Sequence, residues 1–402
     1  MMRVGISGRM AAGAALTALF LGGSASAVKA QSITVGGKEI AVHGFLQQGF
    51  NVTDENNFLT MDTEKGSGAM TDAGLNVSSN VTRRLRLGAQ AYVRNIGQLG
   101  NGSIEVDWAF ADYKFADAFG VRGGKMKTML GLFNDTQDME FLYTWALLPQ
   151  GMYPLDLRSV TIAHIGADVY GRVAMGKAGS VAYTGYVGKG QDDDHGGYRY
   201  GVQDAGLGFR SGLHTNGGGV DVRWTTPVNG LMTGYSFTQS HDKVDLIVNA
   251  ARLPFTATSD PARRQSVYGD YQQSRLRLSA ELRREYTELS TAPRVFAPSQ
   301  TPSRSWFGAA SYRVHDMLEL GTYYSNYVYN LRNPHNLQNN HIYDTAISGR
   351  VDLNRFWNVK VEGHFLDGTG NLTLARGFYR RSNTTGFNAK TRMLVIRTGV
   401  NF

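Results

Sequence analysis

Eight charged residues gather in and around one interval of this sequence: Lys125 and Lys127, Arg86 and Arg94 before it, and Asp135, Asp138, Glu140 and Arg158 within it. Acids facing bases across a narrow space create a transverse field, which orders water and dipolar solutes and makes the passage of apolar molecules costly. The same side chains could instead pin a loop to a wall by ion pairs. Catalytic patterns are missing: no G-x-S-x-G elbow, H-E-x-x-H helix or G-x-x-x-x-G-K-[ST] loop occurs. With 0 cysteines, disulfides, thiolate metal sites and cysteine nucleophiles are excluded together. His43, His164 and His364 with scattered serines form a formal hydrolytic set, but histidines so dispersed are more often hydrogen-bonded wall residues. The run Asp192, Asp193, Asp194 and His195 could hold a divalent cation through its oxygens, although its spacing matches no calcium loop and a solvated loop explains it as well.

The interval that carries these charges, 131–166, is the one long stretch where neither strand alternation nor turn punctuation holds. It opens with Asn134, Asp135, Thr136, Gln137 and Asp138 and continues with Met139, Leu142, Tyr143, Ala146 and Leu147 at helical spacing, stopping before Pro149. That spacing predicts a short helix inside a loop. On both sides lie period-2 segments of about ten residues separated by turns, the pattern of a closed transmembrane antiparallel β-barrel. The fold class expected is therefore all-β, a barrel of about 16 strands over 28–402, with 131–166 folded inward as a constriction loop.

Each wall segment should have one apolar face, because Arg or Lys facing lipid at mid-depth costs roughly 2 to 4 kcal/mol. Leu85, Leu87, Ala89, Ala91 and Val93 oppose Arg86, Gln90, Tyr92 and Arg94; Ile104, Val106, Trp108 and Phe110 oppose Glu105, Asp107, Ala109 and Ala111. In Val121 to Leu130, Lys125 and Lys127 are expected to point inward, away from hydrocarbon. Further segments begin at Ile40, Ala167, Val181, Val220, Leu231, Ser266, Arg275, Ser305, Leu318, Ile342, Trp357 and Arg392. Short turns such as 177–179, 227–230 and 272–274 alternate with long connections at 189–219, 239–265 and 289–304. The apolar alternation of Ala205 to Leu213 is assigned to a loop, since an odd strand count would leave the two termini on opposite sides.

The ends of the chain agree with export to a membrane. Arg3 and Arg9, the apolar run Met10 to Leu21 and Ala25-Ser26-Ala27 form a signal peptide over 1–27, with cleavage alternatively after Ala30. Loss of Arg3 and Arg9 still leaves a basic chain from a formal net charge of +8. Its cations are dispersed, which speaks against nucleic acid as a partner and suits a basic lining of mild anion preference. Glycine is abundant, 49 residues, as bends and tight turns in a sheet require. Aromatics cluster at segment ends: Phe115 and Phe119, Tyr312, Tyr323, Tyr324 and Tyr327, Phe356 with Trp357, and Phe402, as interfacial girdles would. The last segment, Leu394, Ile396, Thr398, Val400 and Phe402, ends on an aromatic that resembles the assembly signal of bacterial outer-membrane barrels.

Over 44–402 the sequence resembles bacterial outer-membrane porins. Locally, Gly124, Lys125, Met126 and Lys127 followed by Gly131 and Leu132 look like the strand that enters the constriction loop in phosphate-selective and related porins. The resemblance implies a non-enzymatic, cofactor-free, water-filled channel for passive diffusion of small hydrophilic solutes and ions. It also implies a homotrimer seated among outer-membrane lipid and lipopolysaccharide, built in by the barrel assembly machinery. The loop carries Asp135, Asp138, Glu140 and Asp156 against Arg158 alone, so the arginine ladder of the phosphate-selective pattern is not there. A substrate-selective porin for phosphate or sugar, and an exported β-rich binding or adhesion protein, remain the alternatives.

Overall fold

The computed structural model describes residues 31–35, 37–371 and 376–402; the signal peptide expected at 1–27 lies outside them. The ring of the barrel is formed by β2 (Lys38–Thr53), β3 (Ser67–Asn80), β4 (Leu85–Ile96), β5 (Ile104–Ala116), β6 (Phe119–Lys127), β7 (Ala163–Ala174), β8 (Ser180–Gly190) and β10 (His214–Thr225). It continues through β11 (Leu231–Val248), β12 (Leu253–Gln273), β13 (Leu276–Ala292), β14 (Ser299–His315), β15 (Leu318–Val328), β16 (His341–Asn354), β17 (Trp357–Asp367) and β18 (Lys390–Asn401). Two short strands stand outside the ring: β1 (Gln31–Val35) folds back on β2, and β9 (Leu207–Phe209) adds to the end of β11. The 18 strands of the sheet less these two leave sixteen in the wall, all antiparallel.

Closure is made by β18 on β2, from Met393 opposite Thr53 to Asn401 opposite Phe45. Beyond it the N–H of Gly44 donates to the Phe402 carbonyl at 3.1 Å and the N–H of Phe402 to the Gly44 carbonyl at 2.9 Å. Gly44 suits this seam because a Cβ there would sit 2.6 Å from the Phe402 ring. The terminal aromatic therefore completes the ladder as well as ending the chain. Closure removes the sheet edges, whose unpaired N–H and C=O groups lipid could not satisfy.

The connections divide as the pattern predicts, with tight turns at one end of the barrel, including 81–84, 117–118 and 274–275, and longer loops at the other. Three details differ from the sequence reading. Ser67–Asn80 is a wall strand, although its small and polar residues carry only a faint apolar face, Ala73, Leu75 and Val77. The connection expected at 239–265 is mostly strand: β11 and β12 run on past the membrane band and turn over 249–252. Their apolar residues Val244, Leu246 and Phe255 are buried there with Val202 of the helix Gly197–Asp204. Likewise 289–304 is strand except for 293–298.

Parity separates two environments. Outward residues such as Val267 (59% exposed), Ile347 (59%) and Val361 (48%) form an apolar band, whereas their inward neighbours Ser266, Ser348 and Glu362 are buried. A bulge in β5 revises part of this. Gln90 lies opposite Trp108 while Ala91 lies opposite Val106, so the face switches at Asp107, and Trp108 and Phe110 point inward. Of the expected girdle residues, Phe115 stacks on Phe119 and Tyr312 and Tyr324 are exposed, but Tyr323 and Tyr327 are buried in the interior.

Ala280→Arg, on the outer face in the middle of β13, should destabilise the barrel folded in lipid vesicles by about 2 to 4 kcal/mol. Leu289→Arg, above the band on the same strand, should change stability by less than about 0.5 kcal/mol. Urea titration of both variants checks the contrast.

Candidate functional site

Between β6 and β7 the chain leaves the wall and crosses the interior as an inner loop, 128–162, slightly earlier at both ends than the sequence suggests. Residues 139–147 do not form the expected α-helix. The loop has single 3-10 turns at Asn134–Thr136 and Glu140–Leu142 and a four-residue helix at Arg158–Thr161. The reason lies in where its backbone hydrogen bonds go, since wall side chains replace the bonds a helix would make within itself. Glu362 accepts the N–H groups of Ala146 and Leu147 at 3.0 and 2.9 Å. Lys360 donates to the carbonyls of Glu140 and Trp145 at 2.7 and 2.9 Å, and Arg350 to those of Phe141 and Tyr143 at 2.7 and 3.0 Å. Arg397 donates to the Ala146 carbonyl and Arg283 to that of Met152, both at 2.9 Å. Glu281 accepts the N–H of Leu132 at 2.9 Å.

The start and end of the loop meet in a four-charge cluster. Lys127 lies 2.6 Å from Asp107 and 2.8 Å from Asp138; Arg158 lies 2.7 Å from Asp107 and 3.2 Å from Asp138. Gln90 donates to both carboxylates, and the Arg158 guanidinium stacks 4.1 Å above the Tyr92 ring. Burial opposes the charge of Arg158, yet Asp107, Tyr92 and Asp138 hold its pKa well above the ordinary value. Two cations and two anions cancel here, and only Lys127 retains noticeable exposure, 14% of its side chain. This arrangement fastens the loop and does not present a field to water.

The remaining residues expected at the site are dispersed. Glu140 pairs with Lys360 at 2.5 Å, Arg94 with Asp193 at 2.6 Å, and Asp135 with Arg223 at 3.2 Å. Arg86 is inward and exposed, opposite Asp112 in register. Lys125 corrects the expectation outright. Its register partners are Ala109 and Ile165, the latter 52% exposed, so it stands on the outer face, and its ammonium folds onto the carbonyl of Val106 beside the bulge. The histidines are separate: His164 contacts Thr128 and Asp168, and His364 lies between Asp344 and Glu362. In the acidic run, Asp192 and Asp194 pair with Arg199 at 2.5 and 3.0 Å, so arginines occupy the positions a cation would take.

Sequence reasoning missed the partly exposed pairs on the inner face of β10 to β16: Arg223 with Asp221 and with Asp135 of the inner loop, a residue the sequence did single out, Arg264 with Glu285, Arg277 with Asp270, and Arg313 with Glu319 and Asp352. In each pair the arginine is the more exposed member, at 23% against 2% and 20%, 36% against 18%, 30% against 15%, and 35% against 16% and 20%. Inward parity together with ten-residue spacing could have found them.

Over the mouth, loops 54–66, 97–103 and 191–213 and residues 368–371 and 376–389 form a roof. Phe58, Leu59, Leu99, Phe378 and Tyr379 are buried in one cluster. Gly377, at φ +97°, passes so close to Phe58 that a Cβ would collide with its ring. The roof is tied to the inner loop through Asp156, which accepts from the Gly377 N–H at 2.9 Å and the Tyr379 hydroxyl at 2.6 Å. Burial pushes the Asp156 carboxyl above the ordinary range despite those bonds.

A closed sixteen-stranded antiparallel barrel with an inward-folded loop between its fifth and sixth wall strands is the fold of bacterial outer-membrane porins. No protein-family model matches the sequence, and no curated protein matches it. Among solved structures, OmpF of Salmonella typhi in complex with daunomycin superposes with a TM-score of 0.57 at 15% identity, over 92% of this chain and 100% of that one. An anion-selective porin from Comamonas acidovorans gives 0.56 at 12% identity over 91% and 100%. The outer-membrane protein OmpT of Vibrio cholerae gives 0.57 at 12% over 92% and 100%.

Lys360→Met leaves the Glu140 carboxylate and two loop carbonyls without their donor, and breaking such a buried pair costs about 3 to 5 kcal/mol. The expected result is chymotryptic cleavage within 141–145 under conditions where the unaltered protein stays intact, with the strands still resistant.

Proposed function

We propose that this protein is a non-enzymatic porin of the outer membrane, exported by residues 1–27, through which small hydrophilic solutes and ions diffuse passively with a mild preference for anions. The observation that carries this reading is the unequal exposure of the ion pairs on the arc from β10 to β14. There the acids are withdrawn and the guanidinium groups stand in the lumen, so the water a solute meets is bordered by positive charge although most charges are paired. Arg86, Arg122 and Arg172 face the same interior, with no ion pair among the described residues. The inner loop narrows the passage and packs on the same β10 to β14 arc through Tyr268, Phe307, Glu281 and Arg283 as well as on β15 to β18.

A homotrimer is part of this proposal. One neighbour, OmpT of Vibrio cholerae, is described in a trimer form, and Lys125 on the outer face of this chain is a group that a protein neighbour would accommodate better than hydrocarbon. A substrate-selective channel is the second reading. It would be favoured by current block that saturates with one sugar or phosphate.

Replacement of Arg264, Arg277 and Arg313 by Glu should move the zero-current potential in a salt gradient from the anion-selective to the cation-selective side. Lys125→Glu, outside the lumen, should leave it unchanged. An unmoved potential in the triple variant would refute the assignment of these arginines, and absence of any conductance from the refolded protein would refute the channel itself.

A further inference from the structure

The bulge in β5 turns Trp108 and Phe110 into the lumen, where passive diffusion of ions gives two aromatic rings no task. The rings stack on each other, with centroids 5.4 Å apart and planes 25° from parallel. They lie on the tight-turn side of the charge cluster at the constriction. Trp108 is in register with Gln90, which donates to Asp107 and Asp138, and Phe110 is in register with Gly88. Unlike the rings packed beneath the inner loop, neither belongs to a buried apolar cluster, and both are only partly buried. The Trp108 indole N–H has no hydrogen-bond partner among the described residues. Aromatic surface left in a watery passage is not recovered by packing, and such surface marks a place where something binds.

The neighbours of the pair define what would bind. The two strands beside Phe110 present Gly88 and Gly124 in register with it, so neither puts a side chain next to its ring. At Gly88 a Cβ would lie 3.0 Å from the Trp108 ring and 3.6 Å from that of Phe110. One row nearer the tight turns, Arg86 and Arg122 stand on either side of Asp112. Both carboxylates of that row are engaged elsewhere: Asp112 accepts the Tyr170 hydroxyl at 2.5 Å, and Asp168, on the far side of Arg122, is bonded to His164 at 2.8 Å. Arg122 lies 4.2 Å above the Tyr170 ring with its Nε buried and unpartnered. Arg86 is exposed and donates only to Ser78, at 3.4 Å. Two residues along a strand separate the row of Phe110 from that of the arginines, about 7 Å at the usual rise. A benzoate whose ring covers Phe110 spans that gap with its carboxylate.

We propose that Trp108, Phe110, Arg86 and Arg122 form a subsite for small aromatic carboxylates, with the solute's ring stacked on the aromatic pair and its carboxylate held by the guanidinium groups. Guanidinium forks match carboxylate oxygens, and a flat ring finds a flat partner. An aliphatic acid lacks the ring, and a neutral arene lacks the charge. One stacking face and a carboxylate still partly in water bind weakly, so the solute also leaves, as passage requires. The subsite rests on the channel reading for how the solute arrives, and it names a solute class for that channel. Binding itself is measured without any current, so the two readings fail separately.

The test uses the protein refolded in detergent, with binding read by saturation-transfer NMR of the probe's protons. The probes are benzoate, cyclohexanecarboxylate, benzyl alcohol and maltose. Benzoate should bind about tenfold more tightly than cyclohexanecarboxylate or benzyl alcohol, as one stacked ring and one charged contact imply. W108A/F110A should abolish that preference, and R86Q/R122Q should weaken benzoate about tenfold while benzyl alcohol binds as before. If W108A/F110A does not regain heat-resistant mobility on gels, W108L and F110L should each show about a threefold loss. In planar bilayers, millimolar benzoate should interrupt the current of the unaltered protein and not that of W108A/F110A. Equal affinity for cyclohexanecarboxylate, or unchanged benzoate binding by variants that fold, would overturn the subsite. Maltose binding that exceeds benzoate binding and is lost in W108A/F110A would assign the rings to a sugar and overturn it too. A protein that binds benzoate as described but conducts no ions would refute the channel and leave the subsite standing.

Discussion

Every backbone N–H and C=O in this molecule needs a partner in a place where water is scarce, and that requirement organises the rest. Lipid outside forces the sheet to close, which it does through β18 on β2 and the mutual bonds of Gly44 and Phe402. Inside, a segment of irregular backbone crosses the lumen, and ordered water could not satisfy so many of its groups once it is packed against the wall. The wall answers with Glu281, Arg283, Arg350, Lys360, Glu362 and Arg397. Each of these inward side chains bonds loop backbone while being buried or nearly so.

This gives the interior two kinds of charged surface. Where the loop docks, charges are buried and matched, as in the cluster of Lys127, Asp107, Asp138 and Arg158, so they contribute rigidity and little field in water. Where inward ion pairs reach water they are asymmetrically exposed, and their arginine ends define what a passing solute meets. Net basic charge is a property of the whole sequence. Its effect on permeation belongs to those exposed guanidinium groups.

Parity along strands was legible in the sequence because lipid punishes every exception on one face, so the closed barrel, the inward loop and the terminal aromatic could all be read without coordinates. Three kinds of residue were not legible. Trp108 and Phe110 changed face because one bulge at Asp107 inverts the alternation, and a bulge has no signature in polarity. Lys125 was assigned inward because hydrocarbon should reject it, an argument that holds only where the outer face meets lipid. Residues 139–147 kept helical spacing but lost the helix, because Glu362, Lys360 and Arg350, more than 200 residues away in sequence, offered their backbone better partners. That offer depends on closure of the ring, which no local pattern encodes.

The strengths of these attachments also rank the moving parts. The inner loop is held by buried charged side chains from several wall strands, so releasing it exposes unpaired charges and costs several kcal/mol. The roof is held by neutral hydrogen bonds between loops, such as Asn57 with Asn383, and by the apolar cluster of Phe58 and Phe378; its charged ties include Asp204 to the backbone of Arg380 and Arg381, Asp156, Arg94 with Asp193, and Arg376 with the Gly151 carbonyl. Local opening draws on the regions with the lowest cost, which here lie above the constriction and not within it. Gly377 sits where the two layers meet, bonded to Asp156 below and packed on Phe58 above, so a side chain added there would separate roof from loop while the barrel and its constriction remain whole.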